Sequence, residues 1–415
     1  MTKIRVGVMG VGRGRTMIDY CRRAGNAELV AICDFWAEGL EKAKQEINDS
    51  HVAYYLDFDA FIQHDMDAVI LANYATEHAP YAIMALRSGK HVFSEVLPVQ
   101  TLKEAVELIE TVESTDRVYA YGENYCYMPA PREMKHRYQR GDLGEFEYGE
   151  AEYIHNCAPI WADITYGDPT HWRNHMYATF YATHSIGPLI HITKLRPVKV
   201  TGFEIPYNRR AQSMGKLGAT AGIEMITLEN GSLIKSIHGD LAKNSIWFSI
   251  YGSKGRMESA REDALTNDIE RLYVNLDPAE NDYSGVAENY LPKDELSEQA
   301  HHFGHGGSDF YSLYYFFQYL LGDPAADIID VYEALDMFLP GLYAYRSILQ
   351  GGIPIDIPNL RDPRQRELVR HDVACTDPRV AKDQLLPCYS KGNPEIPQET
   401  YDRLRADWIK HRSSD

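Results

Sequence analysis

The sequence predicts an α/β domain built on a parallel, doubly wound sheet, followed by an α+β domain with a large, open-faced, mainly antiparallel sheet. Three observations carry this expectation. Short β-branched runs alternate with helical stretches up to about residue 125, and long alternating runs replace them afterwards. A glycine-rich turn also follows the first strand directly.

In the first domain, placed at residues 1–125, strands are expected at Arg5–Met9, Glu28–Cys33, Ala68–Leu71, His91–Ser94 and Val118–Tyr121. Helices are expected between them at Thr16–Ala24, Phe35–Ile47, Ala79–Ser88 and Leu102–Ser114. Gly89-Lys90 supplies the glycine and cation that favour a helix C-terminus. The second domain, at 126–353, opens with a helix near Pro131–Arg140. Alternating runs then mark strands at Phe146–Ile154, Val198–Ile205, Gly222–Leu228, Ser232–Gly239 and Ile246–Tyr251. Gly252-Ser253-Lys254-Gly255 reads as a hairpin turn. Residues 260–300 are polar and read as a loop, before helical patterns at Phe310–Leu321 and Ile329–Leu349. The proline-punctuated tail, 354–415, is too short for its own core and is expected to wrap the body or a partner subunit.

Composition narrows the function classes. The 415 residues carry 42 basic and 60 acidic side chains, a formal charge of -18 that disfavours nucleic acid and anionic membrane as partners. No stretch of ~18 apolar residues points to a membrane span. No charged-then-apolar leader opens the chain, and the six cysteines are scattered without a CxxC pair. A cytoplasmic chain with reduced thiols is therefore expected.

After the first strand comes Gly10-Val11-Gly12-Arg13-Gly14-Arg15. Glycine at 10 permits a tight turn, glycine at 12 lets backbone N–H groups approach a pyrophosphate, and the following helix adds its dipole. The third glycine stands at 14 where the strict GxGxxG spacing wants 15. Asp34 ends the second strand, about 20 residues further on, where an acid binds ribose hydroxyls. This constellation predicts a Rossmann domain holding a nicotinamide dinucleotide. The Asp34 carboxylate favours NAD, while Arg13 and Arg15 keep a 2′-phosphate, and hence NADP, open.

Further segments resemble the glucose–fructose oxidoreductase/inositol dehydrogenase (Gfo/Idh/MocA) family. They are Asp67-Ala68-Val69-Ile70-Leu71 with Thr76-Glu77-His78, then Gly89-Lys90-His91-Val92-Phe93-Ser94-Glu95, Gly141-Asp142-Leu143-Gly144 and Gly252-Ser253-Lys254-Gly255. One departure is chemical: family dehydrogenases read Glu-Lys-Pro where this chain reads Glu95-Val96-Leu97-Pro98, and valine moves no proton. Four other segments resemble the NAD-dependent α-N-acetylgalactosaminidase branch. These are Glu123-Asn124, Trp172-Arg173-Asn174-His175, Tyr181-Ala182-Thr183-His184-Ser185-Ile186-Gly187-Pro188 and His305-Gly306-Gly307-Ser308-Asp309.

That resemblance implies a glycosidase whose tightly bound NAD is recycled: C3 of the sugar is oxidised, C2 is deprotonated, the C1 substituent is eliminated, water adds, and the hydride returns. It implies catalytic roles for Tyr181, His184 and Glu123, and sugar contacts from Trp172, Arg173, His175, His305 and Tyr153. It also implies cofactor contacts from Asn73, His78, Glu95, Asn124 and Gly306, beside Gly10, Gly12, Arg13, Gly14, Arg15 and Asp34.

From the residues alone, imidazole suits a proton shuttle, and Tyr181 shares a face with His184 if that segment is helical. Trp172 suits stacking on a sugar or core packing; Arg173 suits a substrate anion or a structural ion pair. His171 and His175 have metal-ligand spacing, but no Glu stands between them and no carboxylate pattern accompanies them, so no metal is expected. The partner expected is a small glycoside, and the chain itself a homodimer or tetramer. An NAD-linked sugar or cyclitol dehydrogenase, a 3-keto-glycoside-forming oxidoreductase and a non-catalytic NAD-binding sensor stand as alternatives.

Overall fold

A computed structural model describes residues 3–262, 268–279, 282 and 284–412. The chain divides into two compact units. The first comprises residues 1–129, 293–335 and 360–371; the second comprises 130–292, 336–359 and 372–415.

Six strands form the sheet of the first unit: β1 (Ile4–Met9), β2 (Ala27–Cys33), β3 (Ala53–Tyr55), β4 (Ala68–Leu71), β5 (His91–Ser94) and β6 (Tyr119–Tyr121). Their order is β3-β2-β1-β4-β5-β6 and every pairing is parallel. The order reverses between β1 and β4, which opens the crevice where doubly wound sheets bind ligands. All four residues of β4 are buried, as expected of a strand covered on both faces. The short β3 and the helix Phe58–Ile62 carry too few residues to leave a period, and the sequence reading passes over both.

The chain does not divide once near residue 125 and again near 353. Residues 293–335 group with the first unit because the helix Ser308–Leu320 buries its aromatic side there. Tyr20 packs on Phe310 and Phe317 at ring separations of 5.4 and 5.8 Å, and Phe93 meets Phe316 at 5.6 Å. Residues 360–371 are tied by ion pairs from Arg366 to Glu113 (2.6 Å) and from Arg370 to Glu110 (2.6 Å).

Among the described residues of the second unit nine strands lie in the order β14-β13-β12-β11-β7-β10-β9-β8-β15. They are β7 (Phe146–Ile154), β8 (Pro197–Glu204), β9 (Ala221–Leu228), β10 (Leu233–Gly239), β11 (Ser245–Gly252), β12 (Gly255–Ser259), β13 (Leu272–Leu276), β14 (Val286–Tyr290) and β15 (Ile355–Asp356). All pairs are antiparallel except the central β7–β10, which is parallel. The helix Thr183–Thr193 covers one face: Ser185 Oγ lies 2.7 Å from Ser236 Oγ on β10, and Gly149 on β7 leaves room for Leu189. The other face is open, with Phe203, Met225, Leu233, Tyr251 and Tyr273 exposed.

The stretch read as a loop at 260–300 contains β13, β14 and the helix Ser297–Ala300; residues 263–267, 280, 281 and 283 lie outside the described part. β13 alternates buried Leu272 and Val274 with exposed Tyr273. β14 buries no side chain and is held by backbone pairing and by polar contacts such as Arg137 Nε to Tyr290 Oη at 2.8 Å, so no apolar pattern announces it. In the tail, the helix Gln398–Arg412 buries only Tyr401 and Leu404; Leu404 joins Trp161, Ala162 and Met214 in a small core. Among the described residues no helix is long and apolar enough to cross a membrane.

Candidate active site

The first unit builds a turn fit for a dinucleotide. Gly10 has φ +105°, and a Cβ there would lie 2.5 Å from the Ala72 carbonyl oxygen. At Gly14 a Cβ would lie 2.0 Å from the Gly10 carbonyl oxygen, so the displaced third glycine is required where it stands. Gly12, by contrast, faces open space, leaving its backbone accessible. The helix Arg15–Arg23 starts immediately after the turn, and a cavity of about 660 Å³ lined by Gly12, Arg15, Trp36 and Lys42 adjoins it. Asp34 accepts hydrogen bonds from Val11 N (2.7 Å) and Trp36 N (2.8 Å), bracing the loops that follow β1 and β2. A carboxylate has lone pairs left after two such bonds, so Asp34 retains acceptor capacity.

The structure also passes a direct test for a polar guest. Asn73 follows β4 at the crevice, and both atoms of its side-chain amide are buried without a hydrogen-bond partner. Buried amides are almost always satisfied, and a dinucleotide laid across the strand ends would supply donors and acceptors. Phe35, Trp36 and Tyr74, exposed just beyond β2 and β4, offer flat apolar faces suited to a base. His78 is buried; its Nδ1 lies 2.9 Å from the Leu97 carbonyl and its Nε2 3.3 Å from that of Asn73, which fixes the loop around Asn73. Burial pushes its pKa down to about 4, so the ring is neutral.

Arg13 and Arg15 are committed to carboxylates. Arg15 reaches Glu46 at 3.1 Å. Arg13 donates to both Asp309 oxygens, at 2.9 and 2.8 Å, and to Glu95 at 2.8 Å. Asp309, a residue the sequence reading quotes in a motif but assigns no role, is the centre of this group. It also accepts from Asn124 Nδ2 (3.2 Å) and lies 3.1 Å from His305 Nδ1. Burial raises the Asp309 carboxyl, but the bonds from Arg13 and His305 outweigh it and hold the group below the usual carboxylate range. Burial pushes the Glu95 carboxyl up against the opposing pull of Arg13. His305, Gly306 and Gly307 are three consecutive residues with positive φ, which explains the paired glycines and presents the His305 ring at the surface. Glu123 is fully buried beyond β6 and accepts from Tyr125 N at 3.4 Å, so it is not a surface carboxylate at a strand end.

The second unit gathers the remaining residues. Tyr181 precedes the helix that begins at Thr183, so the shared helical face does not exist. A turn, His184 N to Tyr181 O at 3.3 Å, nevertheless sets their rings 5.4 Å apart. Tyr153 of β7 packs on His184 at 4.6 Å, and Trp172 stacks on Tyr181 at 6.1 Å. The Arg173 guanidinium lies 4.5 Å over the Trp172 ring. His175 turns elsewhere, its Nε2 3.3 Å from the Pro169 carbonyl, and its position gives no contact with the aromatic cluster. His171 stacks against Trp172. Among the described residues no group of three or more His, Cys, Asp or Glu side chains could hold a metal ion.

Sequence reasoning also misses a pair behind Tyr153. His238 of β10 is the register partner of Tyr153 and projects from the same sheet face. Its Nδ1 lies 3.7 Å from Glu224 of β9, and both residues are buried. Their alternation reads as ordinary strand patterning; only pairing register brings them to the cluster.

Residues 4–123 match the model of an oxidoreductase family with an NAD-binding Rossmann fold, GFO_IDH_MocA. Over 393 residues the chain is 25% identical to a glycosyl hydrolase family 109 protein of Saccharopolyspora erythraea, covering 86% of this chain and 83% of that one. A glycosyl hydrolase family 109 protein 2 of Shewanella sp. strain ANA-3 is 32% identical over 202 residues, 46% of this chain and 44% of the relative. The fold is similar to that of an NAD binding oxidoreductase from Klebsiella pneumoniae, with a TM-score of 0.71 and 15% identity over 86% of this chain and 99% of that one. Residues 4–123 thus resemble an NAD-binding Rossmann domain of the oxidoreductase type.

Proposed function

We propose that this chain is an NAD-dependent glycosidase that cleaves a small glycoside by transient oxidation at C3. The observation that carries the reading is the Tyr153–His184–Tyr181 cluster: two phenols beside one imidazole, with Trp172 stacked on Tyr181. Similarity to the family 109 proteins supports it.

NAD⁺, when bound, supplies a reversible hydride acceptor. The glycine turn, Asp34 and Asn73 would hold it, with Asp34 favouring NAD over NADP by repelling a 2′-phosphate. His184 takes the C3 hydroxyl proton, the task that Val96 leaves open. Tyr181 removes the C2 proton, which an adjacent C3 carbonyl acidifies, and the C1 bond then breaks with its electron pair leaving on the aglycone oxygen. His184 and Tyr181 return both protons after water adds at C1. Trp172 and Tyr153 orient the ring, and Glu123, held out of water, is a further acid–base group at the strand ends. Self-association through the open face that exposes Phe203, Met225 and Leu233 is part of the same proposal, checked by light scattering after gel filtration.

The deciding experiment incubates the protein with nitrophenyl glycosides in heavy water without added reductant. Aglycone release with deuterium at C2 is expected. Stoichiometric NADH with intact glycoside refutes the glycosidase reading in favour of a dehydrogenase, and binding of NAD with no turnover across a sugar panel favours a sensor.

A further inference from the structure

The cation over Trp172 is not balanced by a carboxylate among the described residues. Arg173 sits in the turn Trp172–His175, half-buried, its guanidinium 4.5 Å from the Trp172 ring and 5.7 Å from that of Tyr181. No carboxylate among the described residues lies within ion-pair distance of it. Lys216 is buried, with Nζ 5.2 Å from the Trp161 ring and 3.6 Å from Asp240 Oδ2. Asp240 is already engaged, since its Oδ1 accepts from Arg210 at 2.9 Å and from Cys157 N at 3.0 Å. Lys216 and Arg210 therefore share the Asp240 carboxylate, and Arg173 has none within ion-pair distance among the described residues.

Neighbouring groups feel this excess. Burial pushes the Lys216 ammonium down and Arg173 pushes the same way, against Asp240 and Cys157. Burial drives His171 to about 4, with Arg173 adding to the effect, so its ring contributes no further charge. An uncompensated, half-buried guanidinium costs stability, and a fold keeps one where a ligand completes it. The flat faces of Trp172 and Tyr181 beside it select a ring-shaped ligand over a bare ion.

We infer that Arg173, backed by Lys216, is a subsite for a carboxylate carried on the sugar, so that the substrate is an acidic glycoside of the uronoside class. The guanidinium fork matches a carboxylate through two parallel hydrogen bonds, while Lys216 adds a point charge. This rests on the proposed reading of the Tyr181–His184 cluster as the sugar site.

The test uses the full chain with saturating NAD⁺ and titrates galacturonate and glucuronate against galactose, glucose and N-acetylgalactosamine by calorimetry. Uronates are expected to bind at least about tenfold more tightly than their neutral parents, the preference shrinking as salt is raised. Arg173→Gln is expected to erase that preference, and Arg173→Lys to keep part of it. Equal binding of acid and neutral sugars by the unmodified protein overturns the inference, as does a Gln variant that weakens both equally. Inorganic sulfate binding as tightly as a uronate overturns the assignment to a sugar acid. Uronates held through Arg173 with no aryl uronoside cleaved would sink only the glycosidase reading. Neutral aryl glycosides cleaved with no uronate preference would sink only this subsite.

Discussion

Asp309 offers the sharpest test of how the first unit is held together. Its carboxylate is 1% exposed and receives two bonds from Arg13, at 2.9 and 2.8 Å, beside Asn124 and His305. Asp309→Asn keeps the shape and removes the charge. Deleting one partner of a buried ion pair costs about 3–5 kcal/mol. Arg13 retains Glu95, and its side chain is 31% exposed, which lets water screen the orphaned charge. A loss of about 2–3 kcal/mol is therefore expected, a fall of roughly 5–10 °C in the midpoint of this unit. NAD affinity is expected to drop about tenfold, because Asn124 and the His305 turn lose a common anchor. Urea unfolding of Asp309→Asn, Arg13→Met and the double variant gives the coupling directly. A coupling below about 0.5 kcal/mol would refute the picture of a shared hub.

Other perturbations report on neighbouring features. Gly10→Ala forces a Cβ against the Ala72 carbonyl at positive φ, and should cost about 2–4 kcal/mol in chemical denaturation while abolishing NAD binding. Asp34→Ala removes an acceptor worth about 1.5–3 kcal/mol, so NAD should bind roughly 10–100-fold more weakly while NADP loses less; equal losses would contradict the ribose role. His78 and His171 are held neutral with pKa values of about 4, below the ~6.5 of an unfolded chain. The unfolded state therefore takes up protons first, so their contribution is full above about pH 6.5 and is lost as pH falls toward 4. At pH 5 each should account for about 2 kcal/mol, so His78→Gln and His171→Gln should flatten the acid limb of the stability profile; an unchanged slope counts against it.

The parts legible in the sequence are those where local chemistry and tertiary role coincide. Gly10 and Gly14 are required by the turn itself, Asp34 braces it, and the strands from β7 to β11 alternate because one face is covered. β14 was illegible because its side chains are not buried and its backbone pairing leaves no trace in residue type. The helix Gln398–Arg412 hid for a similar reason, since it buries only Tyr401 and Leu404. At the site, Tyr181, His184 and Trp172 stood close enough in sequence to be read together. The Glu224–His238 pair and Lys216 depend on strand register and loop packing, which no local pattern encodes. Asp309 had one available signal: the two glycines before it mark a backbone shaped to aim something inward.

The parallel pairing of β7 with β10 has a consequence for biosynthesis. β7 lies between β10 and β11, both of which follow it by a long stretch of chain. At about 5–20 residues per second, a ribosome leaves both edges of this strand without their final neighbours for several seconds or longer. Aggregation during that interval is governed by exposure of an unfinished strand, not by the stability of the completed protein. Recombinant yield should therefore respond to slower initiation, lower temperature or added chaperones before it responds to substitutions that raise the melting point.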